Sequence, residues 1–154
     1  MPTRALSTLE VAALAALALA APAVAQSDWT EPMEPFQIGE GLHYVGTAGL
    51  AAYLFTSDAG HILIDVPLDE NVEQVLGNIR ALGFDPADVR IQLASHAHFD
   101  HVGGIARMQE ITDAELVLSA ADARFVGEGR DFGLPGLAGY PPPARIAPLG
   151  TSRL

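Results

Sequence analysis

The sequence predicts an α/β fold, of the mixed α+β kind, built on one sheet. Three observations lead there. Residues 36–66 break into short apolar or alternating runs punctuated by glycine, the pattern of a strand meander. Residues 69–82 carry a single apolar stripe at helical spacing, set between two further strands. The second of those strands, 89–95, leads directly into Ser95-His96-Ala97-His98-Phe99-Asp100-His101.

The chain has 154 residues, 49% of them hydrophobic, and a formal net charge of -11. That length suits one domain of ordinary size. The acidic balance argues against nucleic acid or an anionic membrane as partner, since both need basic patches. The sequence has no Cys, which excludes disulfides and thiolate metal sites.

Residues 1–25 read as a signal peptide. Arg4 is the positive start, Val11 to Ala21 is a run of Ala, Leu and Val, and Ala23-Val24-Ala25 is an A-x-A cleavage sequence. The run is short of the about 20 residues that span a bilayer. Cleavage leaves a periplasmic chain that starts at Gln26 and holds no membrane anchor. Glu10, beside the apolar run, is unusual for such a segment. Residues 26–35, with Pro32 and Pro35, read as an extended lead-in, and Trp29 is the side chain in it that could dock. The folded domain is expected over 36–154.

Strands are expected at Phe36 to Ile38, Leu42 to Val45, Ala51 to Ser57 and His61 to Val66, with glycines and Asp58-Ala59-Gly60 as turns. His43 and His61 lie in this meander and are read as strand-edge side chains. Asp65 follows Ile62-Leu63-Ile64 and is carried to the end of the sheet. A carboxylate there needs a partner, and a metal-binding loop would supply one. In Asp69 to Leu82, the residues Val72, Val75, Leu76, Ile79 and Leu82 make the stripe. Asp69, Glu70 and Glu73 suit the positive end of the helix dipole. Gly83 is a C-cap candidate. Strand, crossover helix and strand make a βαβ unit, so the strands at 61–66 and 89–95 are expected to be parallel. A short helix at Val102 to Glu110, a strand at Glu115 to Ser119, a helix at Ala120 to Val126 and a strand start at Arg145 to Leu149 complete the reading.

The His-Asp stretch sits at the carboxyl end of a parallel strand, where sites on such sheets gather. In an extended segment alternate side chains share a face, so His96 and His98 can grip one ion. Gly103-Gly104 then permit tight geometry and close approach, and the turn brings Asp100 and His101 round to a second position. Imidazoles and a carboxylate without thiols suit zinc, and less strictly iron or manganese.

His96-Ala97-His98-Phe99-Asp100-His101 resembles the H-x-H-x-D-H motif of the metallo-β-lactamase superfamily. Ile62-Leu63-Ile64-Asp65 is similar to that family's strand ending in a buried Asp. The helix at 69–82, the strand at 89–95, Gly103-Gly104 and Ser119 to Asp122 follow in the family's order. The resemblance covers roughly 40–149. It is most like the third subclass, whose zinc ligands are His and Asp alone. The leader, Asp131-Phe132 and Tyr140-Pro141-Pro142 point the same way. The family follows its buried Asp with glycine; here Val66-Pro67 follow, so the local turn must differ.

The resemblance implies an αββα sandwich of two βα halves, of which this chain supplies the first and the beginning of the second. It implies two Zn2+ ions, one on His96 and His98 and one on Asp100 and His101. Asp100 also orients the nucleophile, and Asp65 stands behind the ligands. The implied reaction is hydrolysis of the β-lactam amide by a metal-bound hydroxide, on a small-molecule substrate. Within the superfamily, a lactone, thioester or phosphoester is the alternative substrate. In the family, two downstream His complete the ion sites. This sequence has no His after His101 and no Cys. The chain is therefore expected to be a truncated or partial member that leaves the inner sheet face exposed, and an inactive, zinc-binding remnant is the third reading.

Overall fold

Alternation along the strands decides which side of the sheet becomes core. The computed structural model describes residues 28–129 and 139–149. Within them, β1 (Phe36–Gly39), β2 (Leu42–Tyr44), β3 (Tyr53–Phe55), β4 (His61–Ile64), β5 (Val89–Leu93), β6 (Glu115–Ser119) and β7 (Ile146–Leu149) form one sheet in chain order. Neighbours are antiparallel from β1 to β4 and parallel from β4 to β7. The helices are α1 (Val72–Ala81), α2 (Phe99–Val102), α3 (Ile105–Thr112) and α4 (Ala120–Gly127). Residues 1–25, read from the sequence as a signal peptide, and Asp131-Phe132 lie outside the described residues.

One face carries Leu54, Leu63, Leu116 and Leu118, all fully buried. They form a single core with Val72, Val75, Leu76 and Ile79 of α1, Ile105 and Met108 of α3, and Val126 of α4. The opposite face is also apolar. Tyr44, Tyr53, Ile64, Leu93, Val117 and Ala147 pair strand to strand in one row, and Leu42, Phe55, Ile62 and Ile91 in a second. These side chains are half-buried, and Phe55 is 44% exposed. The apolar inner face expected from the sequence is thus present, and the described residues do not bury it.

The main helix starts later than its stripe suggests. Asp69–Asn71 form a 3-10 turn, and the α-helix runs from Val72. Its end is as expected: Gly83 takes φ +88, its N–H donates to Arg80 O, and the Phe84 N–H donates to Ile79 O. That doubled bond is a Schellman cap. Inside the helix, Asn78 Nδ2 donates to Val45 O and Gly46 O at 3.0 Å each, tying α1 to the loop after β2. His43 and His61 are not strand-edge groups. Both are buried and flank the Phe84 ring, at 5.1 and 5.2 Å between ring centres.

Two boundaries near the motif also differ from expectation. β5 ends at Leu93 rather than Ser95, because the Ser95 N–H leaves the ladder for Asp65 Oδ1 at 2.8 Å. The helix expected over Val102 to Glu110 is two helices, α2 and α3, with Gly103 and Gly104 between them. The glycines have φ of -59 and -93, so neither is there for a left-handed turn. They allow close approach: a Cβ on Gly103 would lie 2.7 Å from Pro67 O, and one on Gly104 2.7 Å from Leu68 O. The loop after β4 and the motif helix therefore pack backbone to backbone.

Adjacent residues on β4 test the two-faced sheet. Leu63→Ala is expected to cost about 2–5 kcal/mol, the range for a buried Leu. Ile62→Ala should cost clearly less. Equal losses in urea denaturation would contradict the assignment of faces.

Candidate metal centre

The site forms where β4 and β5 end side by side. Asp65 is the first residue past β4, buried with 6% exposure, and sits in the left-handed region at φ +60. Asp tolerates that conformation better than most side chains. Asp65 itself carries the turn that precedes Val66-Pro67. The reversal aims its carboxylate across at the chain leaving β5. Oδ1 accepts from the Ser95 N–H at 2.8 Å, and Oδ2 lies 2.8 Å from both Ser95 Oγ and His101 Nδ1. The Val66 N–H, next in the chain, donates to His101 O at 3.0 Å. These polar contacts join the two chain segments beside the buried Val66 and Ala97.

The four motif residues are brought together, though not by strand alternation. His96 lies in a bend and His98 is the N-cap of α2, while Asp100 and His101 lie on α2. The rings of His96 and His98 are 4.5 Å apart between centres, and those of His96 and His101 4.0 Å apart. His96 Nε2 lies 3.1 Å from His98 Nδ1, and Asp100 Oδ2 lies 3.6 Å from His101 Nε2. Two donors on one tetrahedral zinc, at metal distances of about 2.1 Å, stand about 3.4 Å apart. Both pairs have that spacing, so the donor chemistry fits zinc two ligands at a time. Among the described residues no three His, Asp or Glu side chains converge on one ion position. A catalytic zinc takes three protein ligands, so each pair supplies part of a coordination shell.

Electrostatics separate the imidazoles. Burial lowers the pKa of His96 from its ordinary value, and the neighbouring His101 and His98 lower it further. That favours the neutral ring a metal requires. The pKa of His101 is raised, first by its hydrogen bond to Asp65.

Sequence reasoning named Tyr140 and Trp29 but placed neither beside the motif. Tyr140 is buried, and its hydroxyl donates to Ala97 O at 3.4 Å. Trp29 does dock: its ring lies 5.8 Å from Phe99, and its carbonyl accepts from Thr47 Oγ1 and Asn71 Nδ2. Only the type of these residues, large and aromatic near loops, could have signalled them.

The model of the metallo-beta-lactamase superfamily matches residues 48–152. The chain belongs to that superfamily. Among solved structures, MEM-A1, a subclass B3 metallo-beta-lactamase from a soil metagenome library, is 36% identical with TM-score 0.77. The alignment covers 80% of this chain and 48% of that one. A metallo-beta-lactamase of Cronobacter sakazakii is 41% identical with TM-score 0.73, over 79% of this chain and 48% of that one. The N-acyl homoserine lactonase AttM of Rhizobium radiobacter is 35% identical over 123 residues, 72% of this chain and 47% of its own length. The superfamily member described here thus spans about half the length of these relatives.

His101 gives a pH signature in the metal-free chain. Folding raises its pKa, so the stability it adds is complete below about pH 6.5, the unfolded value, and is lost as pH rises through the folded value. His96 works in the opposite sense, chiefly through burial, which the variant leaves in place. With chelator present, the stability advantage of wild type over His101→Asn should shrink from mildly acidic to mildly alkaline buffer. A constant or growing gap in urea midpoints would contradict this.

Proposed function

We propose that the protein carrying this sequence is a zinc-dependent hydrolase that opens a β-lactam ring. The observation that carries the reading is the pair of two-donor sets at chelating distance, His96 with His98 and Asp100 with His101. The subclass B3 enzyme at 36% identity supports the substrate class. His96 and His98 would hold one ion; Asp100 and His101 would hold the other. Bound zinc supplies a water acidified towards neutrality and a positive charge beside the amide oxygen.

The chain's own groups do the rest. Asp65 holds the His101 ring by its Nδ1, which leaves Nε2 facing Asp100. The Asp100 carboxylate orients the attacking water by accepting its hydrogen bond. Trp29 and Phe99 make an apolar edge beside the motif. The leader at 1–25 supports a periplasmic location for this work.

A lactone is the second reading, favoured by the match to AttM. A cyclic ester presents the same carbonyl to the same attack. The discriminating assay takes the full-length gene product with zinc, a β-lactam panel and an N-acyl homoserine lactone. The expected result is β-lactam opening that chelator abolishes, and that Asp100→Asn, which weakens an ion site and the acceptor that orients the water, lowers by about 100-fold or more. Turnover of the lactone alone would move the proposal to that substrate. Turnover of neither would overturn it.

A further inference from the structure

We infer that Ser95 is a positioning residue that passes the Asp65 carboxylate on to His96 and so selects which His96 nitrogen faces an ion. The inference deepens the metal-centre reading and rests on it. Ser95 Oγ lies 2.8 Å from Asp65 Oδ2, 3.1 Å from His96 Nδ1 and 3.2 Å from His101 Nδ1. A hydroxyl has one proton to give and two lone pairs to receive with, whereas a carboxylate only accepts.

The proton inventory then has one consistent solution. Ser95 donates to Asp65 Oδ2. Were it to donate to His96 instead, two oxygens would meet at 2.8 Å with no proton between them. His101 Nδ1 is nearer the carboxylate than the hydroxyl, 2.8 against 3.2 Å, so its proton goes to Asp65. The Ser95 lone pairs are left for the His96 Nδ1–H. His96 is thereby held as the Nδ1–H tautomer, and its Nε2 is bare. That nitrogen is the one 3.1 Å from His98 Nδ1, so in the metal-free chain His98 Nδ1–H donates to it. One carboxylate thus sets two imidazoles, His101 directly and His96 through Ser95.

Such outer contacts are worth about 10–100-fold in metal affinity. Ser95 is exposed, and water can replace part of a lost hydroxyl, which puts the effect near the lower end. The same Ser95 also spends its N–H on Asp65, but that bond survives any side-chain change. The hydroxyl is therefore the separable part.

The test uses the full-length gene product labelled with 15N histidine, and the variants Ser95→Ala and Ser95→Thr. In chelator, at a pH well above the imidazole range, two-bond 1H–15N spectra report the tautomer of each ring. Cobalt(II) titrations report affinity. Wild type and Ser95→Thr should hold His96 as Nδ1–H. Ser95→Ala should shift His96 towards Nε2–H and bind cobalt about 10-fold more weakly. His96 as Nε2–H in wild type would overturn the inference, and so would an unchanged tautomer and affinity in Ser95→Ala. Should Ser95→Ala lose its near-ultraviolet dichroism, the wild-type and Ser95→Thr tautomers alone decide. Should wild type bind no cobalt, the metal-centre reading fails separately, while the tautomer still decides the role of Ser95.

Discussion

The Asp65 carboxylate is the contact on which the local structure around the motif depends. It takes an N–H and a hydroxyl from Ser95 and the Nδ1 side of His101. In doing so it ends β5, bends the chain into the motif and fixes one end of α2. The cost is a left-handed residue, on the order of 1–2 kcal/mol, and a buried charge. Three donors on one carboxylate offset that cost, since hydrogen bonds to charged groups contribute about 1.5–3 kcal/mol each. A buried carboxylate without them would be strongly unfavourable.

Much of the fold was legible in the sequence because local signals and tertiary demand agree there. Gly83 marks a Schellman cap, a common way for a helix to end. The apolar stripe of 72–82 is the core face of α1. The parallel pairing of β4 and β5 follows from a helix between two strands. Where prediction failed, a long-range polar contact won over local pattern. Ile91 to Ser95 reads as strand by residue type, yet Asp65, thirty residues away, captures Ser95 and ends it. Gly103 and Gly104, by contrast, read as a place of close approach, and Pro67 and Leu68 are what come close. The Asp65–Ser95 contact leaves no trace in a sequence window.

The candidate site was legible by composition and wrong in mechanism of assembly. His96 and His98 do converge, but from a bend and a helix start rather than from one face of a strand. The residue types pointed to this grouping because chelation chemistry constrains the types. The backbone route is not so constrained, because several routes bring two imidazoles within 3–4 Å. The same economy shapes the sheet. Its helix-facing side closes a core, while the Tyr44-to-Ala147 row stays partly open. The two halves of the family sandwich would meet on such a surface, consistent with relatives about twice as long.

If one carboxylate organises the donors, removing its charge should loosen metal without unfolding the chain. The direct measurement is zinc affinity by calorimetry for wild type and Asp65→Asn, with near-ultraviolet dichroism to establish folding. An affinity about 10–100-fold lower in the variant is expected. Equal affinities in two folded proteins would contradict the account.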